Sequence, residues 1–216
     1  MRTASFSLLT VCCLLLAVAP AMADTLYDNG PYNGNTYAWT IDYGYAVSDS
    51  FTLPWGGIYP QGLQFVYWDA STTDVLTTVD MAMGSTPFGT DFDSETLTNV
   101  ANTFLGMNQY GYALFQADYA IHPVQWRSDW SEGYVSLQNA CTAGGCSAGE
   151  GIYWDENGGP SMAYENALGS IPSEAFTITG TTCLLCGYTT PEPSSILLFG
   201  SGVLGLVGVL RRKLGH

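Results

Sequence analysis

Three carboxylates stand at alternate positions in the segment GTDFDSET: Asp91, Asp93 and Glu95. In a loop, side chains of this kind can converge on Ca²⁺, which takes about six to eight oxygen ligands. The same spacing is also typical of a strand edge or turn whose carboxylates face solvent. We therefore name these three residues as a candidate calcium site and expect no other cofactor. The segment YWDENGGPS offers a second acidic set, Asp155 to Asn157, with a turn as the alternative.

Four cysteines lie between the two apolar ends of the chain. Cys141 and Cys146 have four residues between them, and Cys183 and Cys186 have two. An even number of cysteines in an oxidising compartment favours disulfides. Because the residues of CTAGGC are small enough for a local loop, we predict the pairs 141–146 and 183–186. The alternatives are another pairing, a zinc site of four thiolates, or a redox-active C-x-x-C.

Aromatic residues beside polar ones suggest sugar binding. The segments YAWTIDYGY and YWDEN combine rings on which a sugar can stack with Asp and Asn side chains that can accept hydrogen bonds from hydroxyls. We name Trp39, Tyr43 and Trp154 as candidate sugar-stacking residues. The alternative is that these rings fill the core, since aromatic residues dominate the interiors of β-proteins.

The sequence carries no recognisable catalytic motif. It has no G-x-S-x-G elbow, H-E-x-x-H, P-loop or dinucleotide fingerprint. The central part has one histidine, His122, which Pro123 follows at the expected end of a strand. Hydrolysis of a glycosidic bond needs only two carboxylates, so a secreted glycan hydrolase is kept as the least favoured of three functional hypotheses, the other two of which are given below. We do not expect an enzyme.

The charge of the central segment, residues 24–190, limits its partners. It contains twelve Asp and six Glu against one basic residue, Arg127, which gives a net charge of −17. Such a field repels phosphate backbones and anionic lipid, so nucleic acid is not an expected partner. All six Trp and all fourteen Tyr lie in this segment. That aromatic content predicts a folded domain.

The pattern of the central segment predicts an all-β fold. Apolar and polar residues alternate in several short runs, and clusters of Gly, Asn, Asp and Pro separate the runs. We expect an antiparallel β-sandwich or jelly-roll-like domain. A helix fits only between Glu95 and Phe104. The alternating sets are Val47, Phe51 and Leu53, with Asp49 as an exception; Val79, Met81 and Met83; Val135 and Leu137; and Phe176 and Ile178.

The N-terminus has the three parts of a signal peptide. Arg2 is followed by an apolar region from Phe6 to Val18 and by the small-x-small triplet Ala21-Met22-Ala23. This order predicts cleavage before Asp24 and export of the remaining chain.

The C-terminus has the features of a temporary membrane anchor. As a helix, Ile196 to Leu210 would be about 22 Å long, short of the roughly 30 Å hydrocarbon core. The basic cluster Arg211, Arg212 and Lys213 would stay cytoplasmic. Pro191 and Pro193 keep the preceding segment extended. We expect transient insertion of residues 196–210 into the inner membrane.

This tail closely resembles the PEP-CTERM sorting signal of exosortase-processed proteins in Gram-negative bacteria. The residues that match are Pro191, Glu192 and Pro193, the short apolar span, and Arg211, Arg212 and Lys213. The resemblance implies removal of the tail near the tripeptide by a membrane-embedded cysteine protease of the exosortase type. It also implies a host that makes exopolysaccharide, and delivery to the cell surface or the extracellular matrix.

The sequence thus predicts three parts: a signal peptide (1–23), an exported β-sandwich domain (24–188) and a sorting signal with its helix (189–216). Our first functional hypothesis is a structural or adhesive protein within exopolysaccharide or biofilm. The alternative is a carbohydrate-binding module.

Overall fold

The computed structural model describes residues 23–53, 58–122, 132–146 and 151–182. These residues belong to one unit, Ala23–Leu184. Residues 1–22 of the predicted signal peptide, the sorting signal, the membrane span 196–210, and Cys183 and Cys186 lie outside the described residues. Within the described ranges, no helix is long and apolar enough to cross a membrane.

The described residues form thirteen β-strands and no α-helix. Their bounds are β1 Asp24–Asp28, β2 Ala38–Thr40, β3 Ala46–Phe51, β4 Ile58–Asp69, β5 Leu76–Gly84, β6 Asp93–Thr98, β7 Ala101–Met107, β8 Ala113–Ala120, β9 Gly133–Thr142, β10 Tyr153–Asp155, β11 Ala163–Glu165, β12 Gly169–Ile171 and β13 Phe176–Thr182.

The first sheet has seven strands arranged around β4. One edge of β4 pairs with β8, and β7 lies beyond β8. The other edge pairs first with β13 and then, at Tyr67 and Trp68, with β10. Strand β1 lies outside β13, and β2 lies outside β10. All these pairings are antiparallel, so the long strand β4 joins two smaller groups of strands.

The second sheet has six strands in the order β12-β11-β3-β9-β5-β6, again antiparallel. The predicted antiparallel β-sandwich is confirmed. The apolar residues of both inner faces form one core, in which Phe65 and Tyr67 of β4 are 1% and 0% exposed and Leu137 of β9 is 0% exposed. Burying a side chain of this size contributes about 1.5–3 kcal/mol.

The stretch from Glu95 to Phe104, where the sequence left room for a helix, forms strands instead. The chain runs along β6 in the second sheet, turns at Asn99 with a φ of 60°, and continues as β7 in the first sheet. Both are edge strands, and in β6 only Leu97 is buried. Because edge strands bury few side chains, their sequences lack a clear alternation.

Asp49 lies on the core-facing side of β3. It stands between the buried residues Val47 and Phe51, with which it shares one side of the strand, and its own exposure is 0%. The exception in the alternating pattern of this strand therefore marks a polar group inside the sandwich.

Candidate functional site

A group of aromatic rings covers one end of the outer face of the first sheet. Tyr67 faces the core, so the next residue, Trp68, faces outward. Its ring centroid lies 5.9 Å from those of Tyr110 and Tyr112, and Tyr112 meets Tyr153 edge-on at 5.7 Å. Tyr43 lies near Tyr153. We call Tyr43, Trp68, Tyr110, Tyr112 and Tyr153 the aromatic surface.

The rings of the aromatic surface differ in exposure. Trp68 is only 6% exposed, whereas Tyr110 is 56% and Tyr43 is 49% exposed. Tyr112 and Tyr153 are half-buried. Trp68 is therefore the base on which the tyrosines rest, and the tyrosines offer the contact area.

The buried carboxylate of Asp155 positions this base. Its Oδ1 accepts hydrogen bonds from the indole Nε1 of Trp68 at 2.6 Å and from the backbone N of Gly34 at 2.9 Å. Its Oδ2 accepts one from the backbone N of Asn33 at 2.9 Å. Burial raises the pKa of Asp155 to about 6, although these hydrogen bonds favour the charged form. In the acidic set named from the sequence, Asp155 to Asn157, the Asp155 side chain therefore holds the Trp68 indole and the loop at Asn33 and Gly34 in place.

The loop that Asp155 holds lies close to the sheet. Gly34 has a φ of +65°, and a Cβ there would stand 2.6 Å from Cδ1 of Leu114. The neighbouring Asn35 accepts hydrogen bonds on its carbonyl oxygen from the Tyr110 hydroxyl and from Gln109 Nε2, both at 3.0 Å. Two loops are thereby joined above the end of the sheet.

Polar side chains continue along the same outer face. Gln64 Nε2 donates to Asp118 Oδ1 at 2.5 Å, and Gln116 Nε2 donates to Asp118 Oδ2 at 3.1 Å. Gln64 and Asp118 line an open depression of about 470 Å³. Gln64 and Trp68 point to the same side of β4, about 13 Å apart along the strand. Aromatic and hydrogen-bonding groups thus share one face.

A second polar group lies inside the sandwich, where Asn29, Asp49, Ser173 and Glu174 are buried and the half-buried Glu156 lies beside them. We call these five residues the interior acidic cluster. Asn29 Nδ2 donates to Asp49 Oδ2, Ser173 Oγ and the Glu174 carbonyl oxygen at 3.1, 2.8 and 2.6 Å. The backbone N of Glu174 donates to Asp49 Oδ2 at 2.6 Å. These bonds connect β3 of the second sheet with the segments beside β1 and β13 of the first.

The Glu174 carboxylate in this cluster has no hydrogen-bond partner among the described residues. Glu174 is 0% exposed, and Oδ1 of Asp49 likewise has no partner within the described part of the chain. Burial raises the pKa of Glu174 well above its ordinary value, and the charges of Asp49, Glu156 and Asp155 raise it further. Burial also raises the pKa of Asp49 to about 6.

The structure does not assemble the predicted calcium ligands. Asp91 Oδ1 accepts a hydrogen bond from the backbone N of Ser85 at 2.9 Å. Glu95 pairs with His122 at 2.5 Å, and burial raises the pKa of Asp93. Among residues 23–53, 58–122, 132–146 and 151–182, no three His, Cys, Asp or Glu side chains are placed to hold a metal ion.

Cys141 and Cys146 form the predicted disulfide. This bond rules out the zinc site of four thiolates, because two of the four sulfurs are joined to each other. Asp74 also holds the loop: its Oδ1 accepts from the backbone N of Gly144, and its Oδ2 accepts from Thr142 Oγ1, both at 2.7 Å. The predicted pair 183–186 lies outside the described residues.

Of the three candidate sugar-stacking residues, only Tyr43 is at the aromatic surface. Trp154 is 0% exposed and donates from Nε1 to the Ala175 carbonyl oxygen at 3.0 Å. A ring without exposed area cannot stack on a ligand, so the prediction for Trp154 is wrong. Trp39 pairs with Trp154 on the core side of the sheet, and its Nε1 donates to Glu156 Oε2 at 3.0 Å.

The sequence reasoning missed four rings: Trp68, Tyr110, Tyr112 and Tyr153. A signal existed for two of them. Trp68 is out of phase with Leu63, Phe65 and Tyr67, and Tyr153 is out of phase with Trp154. Period-two reasoning places such residues on the outer face.

One comparison with known proteins identifies a part of the chain. Residues 189–213 match the PEP-CTERM protein-sorting motif. No curated protein is significantly similar to the chain. The chain therefore carries the sorting motif of exosortase-processed proteins, and it is an exported protein of the cell envelope or surface.

Proposed function

We propose that the exported domain, residues 24–188, is an adhesive protein of the extracellular matrix that binds exopolysaccharide through the aromatic surface. The observation that carries this proposal is the set of tyrosines supported by Trp68, which Asp155 fixes in orientation. Tyrosine provides a large, rigid contact area at a low cost in conformational entropy, together with a hydroxyl for hydrogen bonding. A polysaccharide offers apolar ring faces and many hydroxyls, which match both properties.

The extent of the outer face favours a polymer over a single sugar. Gln64, Gln116 and Asp118 lie beyond the rings on the same face, and their amides and carboxylate can bond hydroxyl groups. The separation of about 13 Å between Gln64 and Trp68 exceeds the size of one sugar ring.

Charge restricts the class of polysaccharide. The described residues include no Lys or Arg, while Asp118 and Asp155 lie on the outer face of the first sheet. Like charges repel at an interface. The ligand is therefore a neutral or amine-bearing polysaccharide and not one rich in uronic acids.

A glycan array followed by affinity electrophoresis of the mature protein tests the proposal. We expect binding to neutral or amine-bearing polysaccharides, with affinity at least tenfold lower, about 1.4 kcal/mol, in Tyr110→Ala and Tyr153→Ala. Tyr164→Ala is the matched control, since Tyr164 is a half-buried tyrosine in β11 of the second sheet. Absence of glycan binding, or an equal loss in the control, would contradict a role for the aromatic surface and leave a purely structural matrix protein.

A further inference from the structure

The interior acidic cluster brings carboxylates of both sheets together. Asp49 projects inward from β3 of the second sheet. Glu156 follows β10 and Glu174 precedes β13, and the two face each other in an isolated antiparallel bridge, which puts their side chains on the same side. Glu156 accepts the Trp39 hydrogen bond, whereas no described residue bonds to the Glu174 carboxylate.

Among the described residues, no basic side chain offsets these charges. The acidic groups inside the sandwich that act on Glu174 are Asp49 from β3 and Glu156 at the end of β10, and Asp155 acts on it from the other side of the sheet. On the β1 side lies Asn29, whose Oδ1 accepts a hydrogen bond from the Tyr27 hydroxyl at 2.8 Å. The described ranges hold no Lys or Arg, and their histidine, His122, is exposed and pairs with Glu95. A buried carboxylate with neither a counter-charge nor a donor is strongly disfavoured.

We propose that the interior acidic cluster is a proton-binding site that fastens the two sheets together: the folded domain holds Glu174 as a neutral acid, and loss of its proton weakens the junction. This inference does not rest on the proposed glycan binding. A neutral Glu174 removes one of the charges crowded in the cluster. It also gains an O–H donor in a cluster where Asp49 Oδ1 accepts from none of the described residues.

The sign of the pH dependence follows from these groups. Burial raises the pKa of Glu174 well above its ordinary value and that of Asp49 to about 6. Acids whose pKa is higher in the folded state stabilise the fold below the pKa of the unfolded chain, about 4. That stability is lost as the pH rises through the folded-state pKa. The domain is therefore more stable in weak acid than at neutral or alkaline pH.

Urea unfolding of the mature protein between pH 5 and pH 8 tests the proposal. In the wild type we expect the folding equilibrium constant to fall with pH, by up to about tenfold per pH unit for each proton released. Glu174→Gln keeps the backbone donor to Asp49 and removes the titrating group, so its stability should exceed that of the wild type at pH 8 and depend less on pH. The control Glu132→Gln, at an exposed position, should keep the wild-type slope.

Two further measurements test the proposal if Glu174→Gln fails to fold or if a metal ion, not a proton, binds to the cluster. If Glu174→Gln does not fold, infrared spectra of the wild type in D₂O at pH 7 should still show the carbonyl band of a buried neutral carboxylic acid. Absence of that band would overturn the proposal, as would an unchanged pH slope in a folded Glu174→Gln. Stabilisation by Ca²⁺ at pH 8 in the wild type but not in Glu174→Gln would overturn it as well, because the ligand would then be a metal ion.

Discussion

Trp68 and Asp155 are joined by a hydrogen bond of 2.6 Å between the indole Nε1 and the carboxylate Oδ1, at a site where the two residues are 6% and 0% exposed. The same carboxylate holds the loop at Asn33 and Gly34. One buried acid thus fixes both the base of the aromatic surface and a loop beside it. Stability and ligand binding should therefore respond together when this acid is changed.

Asp155→Asn should lower the free energy of unfolding by about 2–4 kcal/mol, because the new NH₂ group faces N–H donors and leaves a buried donor unsatisfied. Urea denaturation at pH 7 measures the change, and affinity for the polysaccharide should fall with it. Asp24→Asn, at an exposed position of β1, should change stability by less than about 0.5 kcal/mol. An Asp155→Asn protein as stable as the wild type would contradict the positioning role.

Gly34→Ala should destabilise the domain more than Gly44→Ala. Both glycines have positive φ, +65° and +86°, but only Gly34 has a neighbour that a Cβ would meet, namely Leu114. The cost of placing alanine at a positive φ, about 1–2 kcal/mol, is common to both variants. The difference between their thermal melting temperatures therefore measures the clash of the Cβ added at Gly34 with Leu114. In a Leu114→Ala background the difference should disappear. Equal losses in the two single variants would mean that the loop moves away from the sheet freely.

Replacing both Cys141 and Cys146 by serine should reduce the free energy of unfolding by roughly 2 kcal/mol, the value that loop-closure entropy gives for so short a loop. The expected loss is modest because the sequence separation is 5 and because Asp74 still holds Thr142 and Gly144. Urea denaturation measures it. Because each constraint supports the loop when the other is removed, Asp74→Asn combined with the double serine variant should lose more stability than the sum of the two separate losses. Strict additivity would show that the two constraints are independent.

Cell-surface protein should lack both ends of the chain. The N-terminal pattern and the sorting motif at residues 189–213 predict a mature form that begins at Asp24 and ends near Pro191–Pro193. Intact-mass spectrometry measures both ends. Replacing Pro191, Glu192 and Pro193 by alanine should leave residues 196–210 attached and the protein in the inner membrane. Recovery of wild-type surface protein with this span retained would refute cleavage at the tripeptide.

Much of the fold could be predicted because alternate residues of a strand face opposite sides of the sheet, so an alternation of apolar and polar residues identifies the buried side. Val79, Met81 and Met83 alternate with more polar neighbours, and all three are at most 2% exposed in β5. The alternation did not predict the two strands between Glu95 and Phe104, where the chain passes from the second sheet to the first at Asn99. Such a change of sheet depends on long-range pairing, which a local pattern does not record.

The aromatic surface was harder to predict than the fold. Composition alone does not distinguish Trp154, which fills the core, from Tyr153, which faces outward, because they are neighbours in a strand of three residues. The rings of Tyr110 and Tyr112 reach Trp68 from a loop, and that contact depends on tertiary structure. Asp49, in contrast, was visible in the sequence as a polar residue at an inward position.

The first and last strands of the described domain are neighbours: β1 pairs with β13, with Asp24 opposite Gly180. Contacts between such distant parts of a chain must close a long loop, so they form late and slowly. The first sheet is therefore incomplete until β13 has been synthesised, and β13 lies only a few residues before the sorting motif at 189–213. A chain truncated ahead of Phe176 would lack the strand that pairs with both β1 and β4, and it would expose the edges of these two strands to aggregation.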